Sequence, residues 1–269
     1  MREIVIPTFY SLSQPIAETL ADLAQAGVRL VEVHGDAPDR HIDLTDDGQV
    51  DALAQAVRAL PLGVHAVHCA FSQPSEGAWD ISQPSPSARA AALHRRTQVI
   101  RSAAKLGARH VIVHPGARDR SPQRSAHSRA SLAQLVEAAR AAGISIAVEN
   151  QPPDHLGGSL AEIGRLLEGL DPAVAGFCLD TGHAMLGADL PTDYIRALGH
   201  RLIAIHWHSN DCHDDAHDFP CLGGSDWNAF FDALDAVGYD SPVTVEAVPP
   251  AGASLEEALA AARTALRRR

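Results

Sequence analysis

The sequence predicts an α/β protein, a single (β/α)8 TIM barrel over residues 1–269, and three observations carry that expectation. Short apolar, β-branched runs alternate with Ala-, Leu- and Arg-rich stretches of helical period, eight times over, which is the pattern of βα units building a parallel sheet. The 269 residues match the roughly 250 that eight such units take. Gly27, Gly107, Gly143 and Gly238 stand where four of the helices should stop, the place where a chain leaving a helix often turns left-handed.

Taken in order, the strands are expected at Ile4–Thr8, Leu30–His34, Val64–Cys69, His110–His114, Ile144–Glu149, Gly176–Asp180, Leu202–His208 and Val243–Glu246. The helices are expected at Ile16–Ala26, Val50–Leu60, Ala88–Leu106, Ser131–Ala142, Leu160–Leu167, Pro191–Leu198, Asp226–Val237 and Leu255–Leu266. No linker divides the chain. Two long polar insertions, Ser72–Ser87 and Ala117–Arg129, follow the third and fourth strands and so extend the barrel face formed by strand carboxyl ends, where barrel enzymes keep their chemistry.

Composition narrows the function. A hydrophobic fraction of 46% with 20% charged residues is that of a globular protein with a sizeable core, not a disordered one. The net charge of −11 disfavours nucleic acid, whose phosphates are neutralised by Lys and Arg. The chain opens directly on a strand and has no apolar run of membrane-spanning length, so no membrane association and a cytoplasmic location are expected. Cys69, Cys178, Cys212 and Cys221 show no C-x-x-C spacing, which leaves metal binding to nitrogen and oxygen. The 15 histidines outnumber the 6 Phe, 3 Tyr and 3 Trp together, without clustering in a tag, which directs attention to where they fall.

Six of the strand-end positions are His68, His114, Glu149, Asp180, His208 and Glu246, all expected at one mouth. Residues two apart share a strand face, so Val64, Ala66 and His68 should line up inside, as should Ile112 with His114 and Ala147 with Glu149. His183, Asp215 and His217 follow in nearby loops. A lone His or Asp at a strand end is ordinarily a solvated or hydrogen-bonded surface residue. So many converging acidic and imidazole groups would leave charge uncompensated without a cation or substrate, and a mixed N/O shell suits Zn²⁺, Mn²⁺ or Fe²⁺, with Mg²⁺ where carboxylates dominate.

The stretches Val111-Ile112-Val113-His114-Pro115-Gly116, Ile146-Ala147-Val148-Glu149-Asn150, Cys178-Leu179-Asp180-Thr181-Gly182-His183 and His208-Ser209-Asn210-Asp211, with the run from Asp215 through His217 to Gly223 and Asp226-Trp227, resemble in that order the xylose isomerase-like barrels. That superfamily includes sugar phosphate isomerases and epimerases and the endonuclease IV family. The resemblance spans nearly the whole chain. Its isomerase and epimerase members imply a divalent metal (Mn, Zn or Mg) on Glu149, Asp180, His208 and Glu246. The endonuclease IV pattern implies up to three zinc ions, adding His68, His114, His183, Asp215 and His217. Two departures stand out: Pro220-Cys221-Leu222-Gly223 lacks the first glycine of the usual Pro-Gly-x-Gly, and the second strand runs into Asp36 and Asp39 where a DNA-binding member would offer basic residues.

The function expected is a metal-dependent sugar or sugar phosphate isomerase or epimerase acting through an enediolate. Glu149 and Glu246 serve as ligand and proton carrier, and His183 stabilises the oxyanion. The alternative is an endonuclease IV-like phosphodiesterase acting on abasic DNA. A barrel that only binds or scaffolds would not need nine converging ligands. For the carbohydrate, Glu32 and His34 share a face and either touch it or form a buried salt link. Trp79 either closes over a sugar ring or packs on a neighbour or second subunit, which leaves a homo-oligomer open. Arg118 lies with Arg120, Arg124, Arg129 and His127 in a loop that either clamps a phosphate or is simply solvated. Trp207 and Trp227 read as core, and Arg267, Arg268 and Arg269 suit the negative end of the last helix.

Overall fold

A computed structural model describes residues 2–35, 41–70, 77–220, 227–249 and 252–267. Eight parallel strands close into a barrel in sequence order: β1 (Ile4–Pro7), β2 (Leu30–His34), β3 (Gly63–His68), β4 (His110–Val113), β5 (Ser145–Glu149), β6 (Ala175–Asp180), β7 (Leu202–His206) and β8 (Val243–Thr244). Around them run α1 (Ile16–Gln25), α2 (Asp47–Arg58), α3 (Pro86–Leu106), α4 (Pro122–Ala142), α5 (Leu160–Leu167), α6 (Thr181–Leu186), α7 (Pro191–Leu198), α8 (Trp227–Ala236) and α9 (Leu255–Arg267). The expected barrel is present, and the strand ladders stop one or two residues short of His114, His208 and Glu246.

The helices end as their sequence dictates. Gly107 and Gly143 take φ of 80° and 74° after α3 and α4, a conformation that costs glycine nothing. Ser85 and Ser121 cap the starts of the same helices by accepting the amides of Ala88 and Arg124, with proline in the first turn of each. That cap starts α4 at Pro122, so most of the stretch expected as a loop before Ser131 is helix, and Arg124, His127 and Arg129 are helical. A further short helix, α6, was not expected. Asp180 caps it, and His183 therefore sits in a helical turn and not a loop.

Two faces of the strands build two cores. Val31, Val33, Val67, Val111, Val113, Ile146, Val148, Phe177, Leu179, Ile205, Trp207 and Val245 pack outward against the helices. Inside, Ala66, Ile112, Ala147, Cys178 and Ala204 form a separate, small-residue cluster from five successive strands. Trp207 is fully buried edge-on to Trp227 and Phe231, as the alternation predicted.

The expected inward alignment of Val64 with Ala66 fails, for a local reason. Pairing runs Val31 to Val64 and then Glu32 to Ala66, so a bulge at His65 puts Val64 in the outer core. A similar slip between β6 and β7 pairs Phe177 with Leu202 and Cys178 with Ala204, leaving Ile203 against the inner cluster. Gly176 makes that possible, because a Cβ there would lie 2.5 Å from Ile203 Cγ1.

Candidate active site and metal centre

All nine expected ligands gather at the carboxyl mouth. Glu149 receives His68 and His114, whose Nε2 atoms lie 3.2 Å and 3.1 Å from its Oε2. Asp180 holds His208, whose Nε2 stands 3.0 Å from both of its oxygens. Asp215 joins His183 at 3.1 Å and His217 at 3.3 Å. These contacts define adjoining groups of potential ligands, among them His68–His114–Glu149, His183–Asp215–His217 and His208–His217–Glu246, with ligand atoms in each group within 4.8 Å of one another.

Main-chain clasps fix these side chains. Asn150 donates its amide to the Asp180 carbonyl at 2.9 Å, accepts the Asp180 N–H at 2.8 Å, and its own carbonyl lies 2.8 Å from His183 Nδ1. Thr181 donates to the His208 carbonyl at 2.7 Å and accepts the His208 N–H at 3.0 Å. Asn210 donates to the Gly182 carbonyl at 2.9 Å. Gly182 is glycine because any side chain there would strike the His208 ring, whose plane is stacked on His217 at 4.1 Å. His217 itself takes φ of 48°, an uncommon choice for a non-glycine residue, stabilised by its Nδ1 lying 2.9 Å from the Glu246 carbonyl.

His206 is the residue that the sequence reading left out. The sequence expectations look instead to His208, two residues later at the end of the same strand. His206 is fully buried; its Nδ1 lies 3.2 Å from Glu149 Oε1 and 2.8 Å from Glu246 Oε2, and its Nε2 is 3.1 Å from Glu32 Oε1. The Glu246 contact is close but out of line with a ring N–H, so Glu246 Oε2 has no directed hydrogen-bond partner. Glu149, Asp180, His206 and Glu246 form one buried set of potential ligands. The alternation that pointed to His208 also marks His206, two residues earlier on the same face, and small neighbours such as Ala66, Ala147 and Ala204 leave volume for it.

Glu32 and His34 follow the buried alternative. Glu32 Oε1 is 2.9 Å from His34 Nε2, its other oxygen accepts Thr244 Oγ1 at 3.3 Å, and neither residue lines the cavity described below. His34 stacks on His68 at 4.5 Å and so acts on the site from behind it.

The electrostatics follow from this packing. Burial would raise the Glu149 and Glu246 carboxyls, but His206 acts on both, helped by His114 and His217 respectively, and both are held well below the usual range. Burial lowers His183, yet Asp180, Asp215 and Glu149 overcome it and push it up to about 10. His217 is likewise lowered by burial and then lifted to about 10 by Asp215 and Glu246. Buried carboxylates thus gather positive charge around themselves, and three of them with imidazole nitrogens form an N/O donor set that suits a divalent cation. His208 Nδ1 and Glu246 Oε2 are buried polar atoms without a hydrogen-bond partner, another sign that the set is incomplete within the protein alone.

Above this cluster lies a cavity of about 650 Å³, within the usual range for small-molecule sites. His68, His114, Glu149, His183, Asp215, His217 and Glu246 of the ligand cluster line it, together with Trp79, Arg96, Arg118 and His155 among others. Trp79 is 6% exposed, set in the wall. Of the arginines expected either to clamp a phosphate or to be solvated, three are paired: Arg120 with Glu162 at 3.0 Å, Arg124 with Asp80 at 2.7 Å and Arg129 with Glu168 at 3.7 Å. Arg118 reaches the cavity while 3.5 Å from Asp154. The expectations at Asp36, Asp39, Cys221, Gly223 and Asp226 fall outside the described residues.

Comparison with known proteins places this geometry. The model of the xylose isomerase-like TIM barrel family matches residues 20–268. An uncharacterized protein, MJ1311, of Methanocaldococcus jannaschii is 27% identical over 55% of this chain, and y4fM of Sinorhizobium fredii, also uncharacterized, is 32% identical over 38% of it. Those matches span 53% and 33% of the two relatives' lengths. A D-tagatose 3-epimerase-like protein superimposes with a TM-score of 0.83 at 19% identity, covering 98% of this chain and 95% of its own. An L-ribulose 3-epimerase superimposes with 0.79 at 24% identity, covering 99% and 96%. The 3-keto-D-glucoside 4-epimerase YcjR of E. coli gives 0.79 at 18% identity, covering 98% and 100%. At these identities the likeness is one of fold.

Proposed function

Because this chain belongs to the xylose isomerase-like TIM barrel family, we propose that it is a divalent-metal-dependent sugar isomerase or epimerase working through an enediolate. The observation that carries the proposal is the buried pair Glu149 and Glu246, both kept ionised, converging on one imidazole beneath a sugar-sized cavity. Isomerisation and epimerisation both need a proton taken from a carbon beside a carbonyl and returned elsewhere. Two carboxylates at one cavity floor are suited to hold and move it.

Glu149, Asp180, His208 and Glu246 would hold the ion, with His206 against three of them. Zn²⁺, Mn²⁺ or Mg²⁺ bound there would supply Lewis acidity that lowers the cost of enolisation. His183, pushed up by Asp180, Asp215 and Glu149 and lining the cavity, would donate to a developing oxyanion. The walls that bury Glu149 and Glu246 limit water at the reacting carbon. The sugar epimerases among the structural relatives support a carbohydrate as substrate.

The test is hydrogen exchange. Metal-loaded protein incubated with ketoses and ketose phosphates in deuterated water should wash deuterium into the carbon next to the carbonyl. Glu149→Gln and Glu246→Gln should each slow this by about 10²–10⁴-fold while melting as folded proteins. No exchange across the panel would overturn the proposal. Nicking of abasic DNA with two or three ions bound per chain would transfer it to phosphodiester cleavage.

A further inference from the structure

Among the residues that line the cavity, one guanidinium stands out. Arg96 projects from the middle of α3, is 1% exposed, and lines the cavity. Its Nε donates to the Trp79 carbonyl at 2.8 Å, while Nη1 is buried with no partner. Among the described residues no carboxylate lies within ion-pair distance of it. Nearby Arg124 shows how the same wall treats a buried guanidinium when it is structural: it is 8% exposed, donates to Asp80 at 2.7 Å and to the Ser82 carbonyl at 3.2 Å. Asp80, a carboxylate of that wall, is engaged by other donors. Its Oδ2 takes Arg124, and its Oδ1 takes the Ser82 amide at 2.8 Å and hydroxyl at 2.6 Å.

A buried charge without a counter-charge is costly, and the cost is removed when a ligand brings the missing anion. We propose that Arg96 is the anchor of an anion subsite, so that the sugar taken by this cavity carries a carboxylate or phosphate at the end remote from its carbonyl. This rests on the reading of the carboxylate and imidazole cluster as the place where the carbonyl reacts. The polarity of the cavity sets the orientation. The carboxylates of Glu149, Asp215 and Glu246 repel an anion, whereas the guanidinium groups of Arg96 and Arg118, which line the same cavity, attract it. A guanidinium also matches the planar or trigonal oxygens of carboxylate and phosphate better than the scattered hydroxyls of a neutral sugar. Arg96 therefore acts as a specificity determinant that does not touch the reacting carbon.

Calorimetric titration of metal-loaded protein tests this without requiring turnover. The probes are D-fructose, D-fructose 6-phosphate, D-fructose 1-phosphate and the acidic sugar D-fructuronate. The 6-phosphate or the fructuronate, whichever anion the subsite takes, should bind at least about tenfold more tightly than D-fructose, in keeping with a charge-assisted hydrogen bond. The 1-phosphate, with its charge beside the carbonyl, should gain no such advantage. Arg96→Gln should erase the gap between D-fructose and its remote anion, and Arg96→Lys should restore part of it. Equal affinity of wild-type protein for the neutral and both remote-anion sugars overturns the inference whether or not the variants fold. So does a gap that survives Arg96→Gln. Deuterium exchange with neutral ketoses and no anion preference would sink the subsite while leaving the proposed reaction standing.

Discussion

His206 illustrates how much one buried imidazole can organise. It holds Glu149 and Glu246 on one nitrogen and Glu32 on the other, and Glu32 is in turn held by His34 and Thr244. Burial alone would depress its protonation, but Cys178, Glu246, Glu32 and Glu149 raise it well above the ordinary histidine value. Residues that orient metal ligands typically contribute ten- to a hundredfold to affinity. His206→Gln is accordingly expected to weaken Mn²⁺ or Zn²⁺ binding by about that factor, measured by titration calorimetry on protein shown by circular dichroism to be folded. Wild-type affinity in that variant would remove His206 from the role. The fully buried Asn150 and Thr181 belong to the same level of organisation. Each joins two strand ends through its own hydrogen bonds, which explains why short motifs on β5, β6 and β7 can deliver side chains to one point.

The strands reach that point only because two of them slip. The bulge at His65 brings Ala66 and His68 inward, and the slip at Ile203 brings Ala204, His206 and His208 inward together. Without the second slip, the side chains of β7 would alternate in the opposite sense and Trp207, not His206, would face the carboxylates. Gly176 and Ile203 are the two halves of that device. Adding a methyl at Gly176 drives it into Ile203, and overpacking of this kind costs about 1–3 kcal/mol. Gly176→Ala should destabilise the barrel by that amount in urea unfolding. Combining it with Ile203→Ala should cost less than the sum of the two single changes, because the clash and the cavity offset one another. Strict additivity would show that the two residues do not share the space.

At the scale of the molecule, the barrel has a polar mouth and a second, smaller set of histidines near the amino ends of the strands. His65 and His110 meet edge-on with ring centroids 5.5 Å apart, and burial, then His65 and Arg109, push His110 down to about 4. Unfolded, the same imidazole would titrate at 6.5. Above that value both states are neutral and the fold keeps its full stability. As pH falls toward 4 the unfolded chain takes up a proton that the folded one refuses, so stability is lost on acidification, by up to about 3 kcal/mol from this group. His110→Leu should therefore lose less melting temperature than wild type between about pH 7 and about pH 5. An equal loss in both proteins would show that His110 does not carry the effect. The mouth histidines respond in the opposite sense, since carboxylates raise His183 and His217, which is why the comparison with a single variant is needed.

The linear order of residues determined the eight βα units, the closing of helices at glycines and the convergence of nine acidic and imidazole side chains, because periodicity and strand-end position are local properties of the chain. It also marked Asn150, Thr181 and Gly182 within motifs, though not what each does, since their partners lie on other strands. Tertiary structure alone decided the rest. Register slips, set by which side chains fit between neighbouring strands, moved Val64 outward and placed His206 beneath Glu149 and Glu246. A serine cap turned much of the expected arginine loop into helix, and ion pairs with distant Asp80, Glu162 and Glu168 engaged most of its charge. The unpaired guanidinium emerged instead at Arg96, on a helix whose sequence marks no binding residue, because whether a charge is paired depends on neighbours that only the fold brings near.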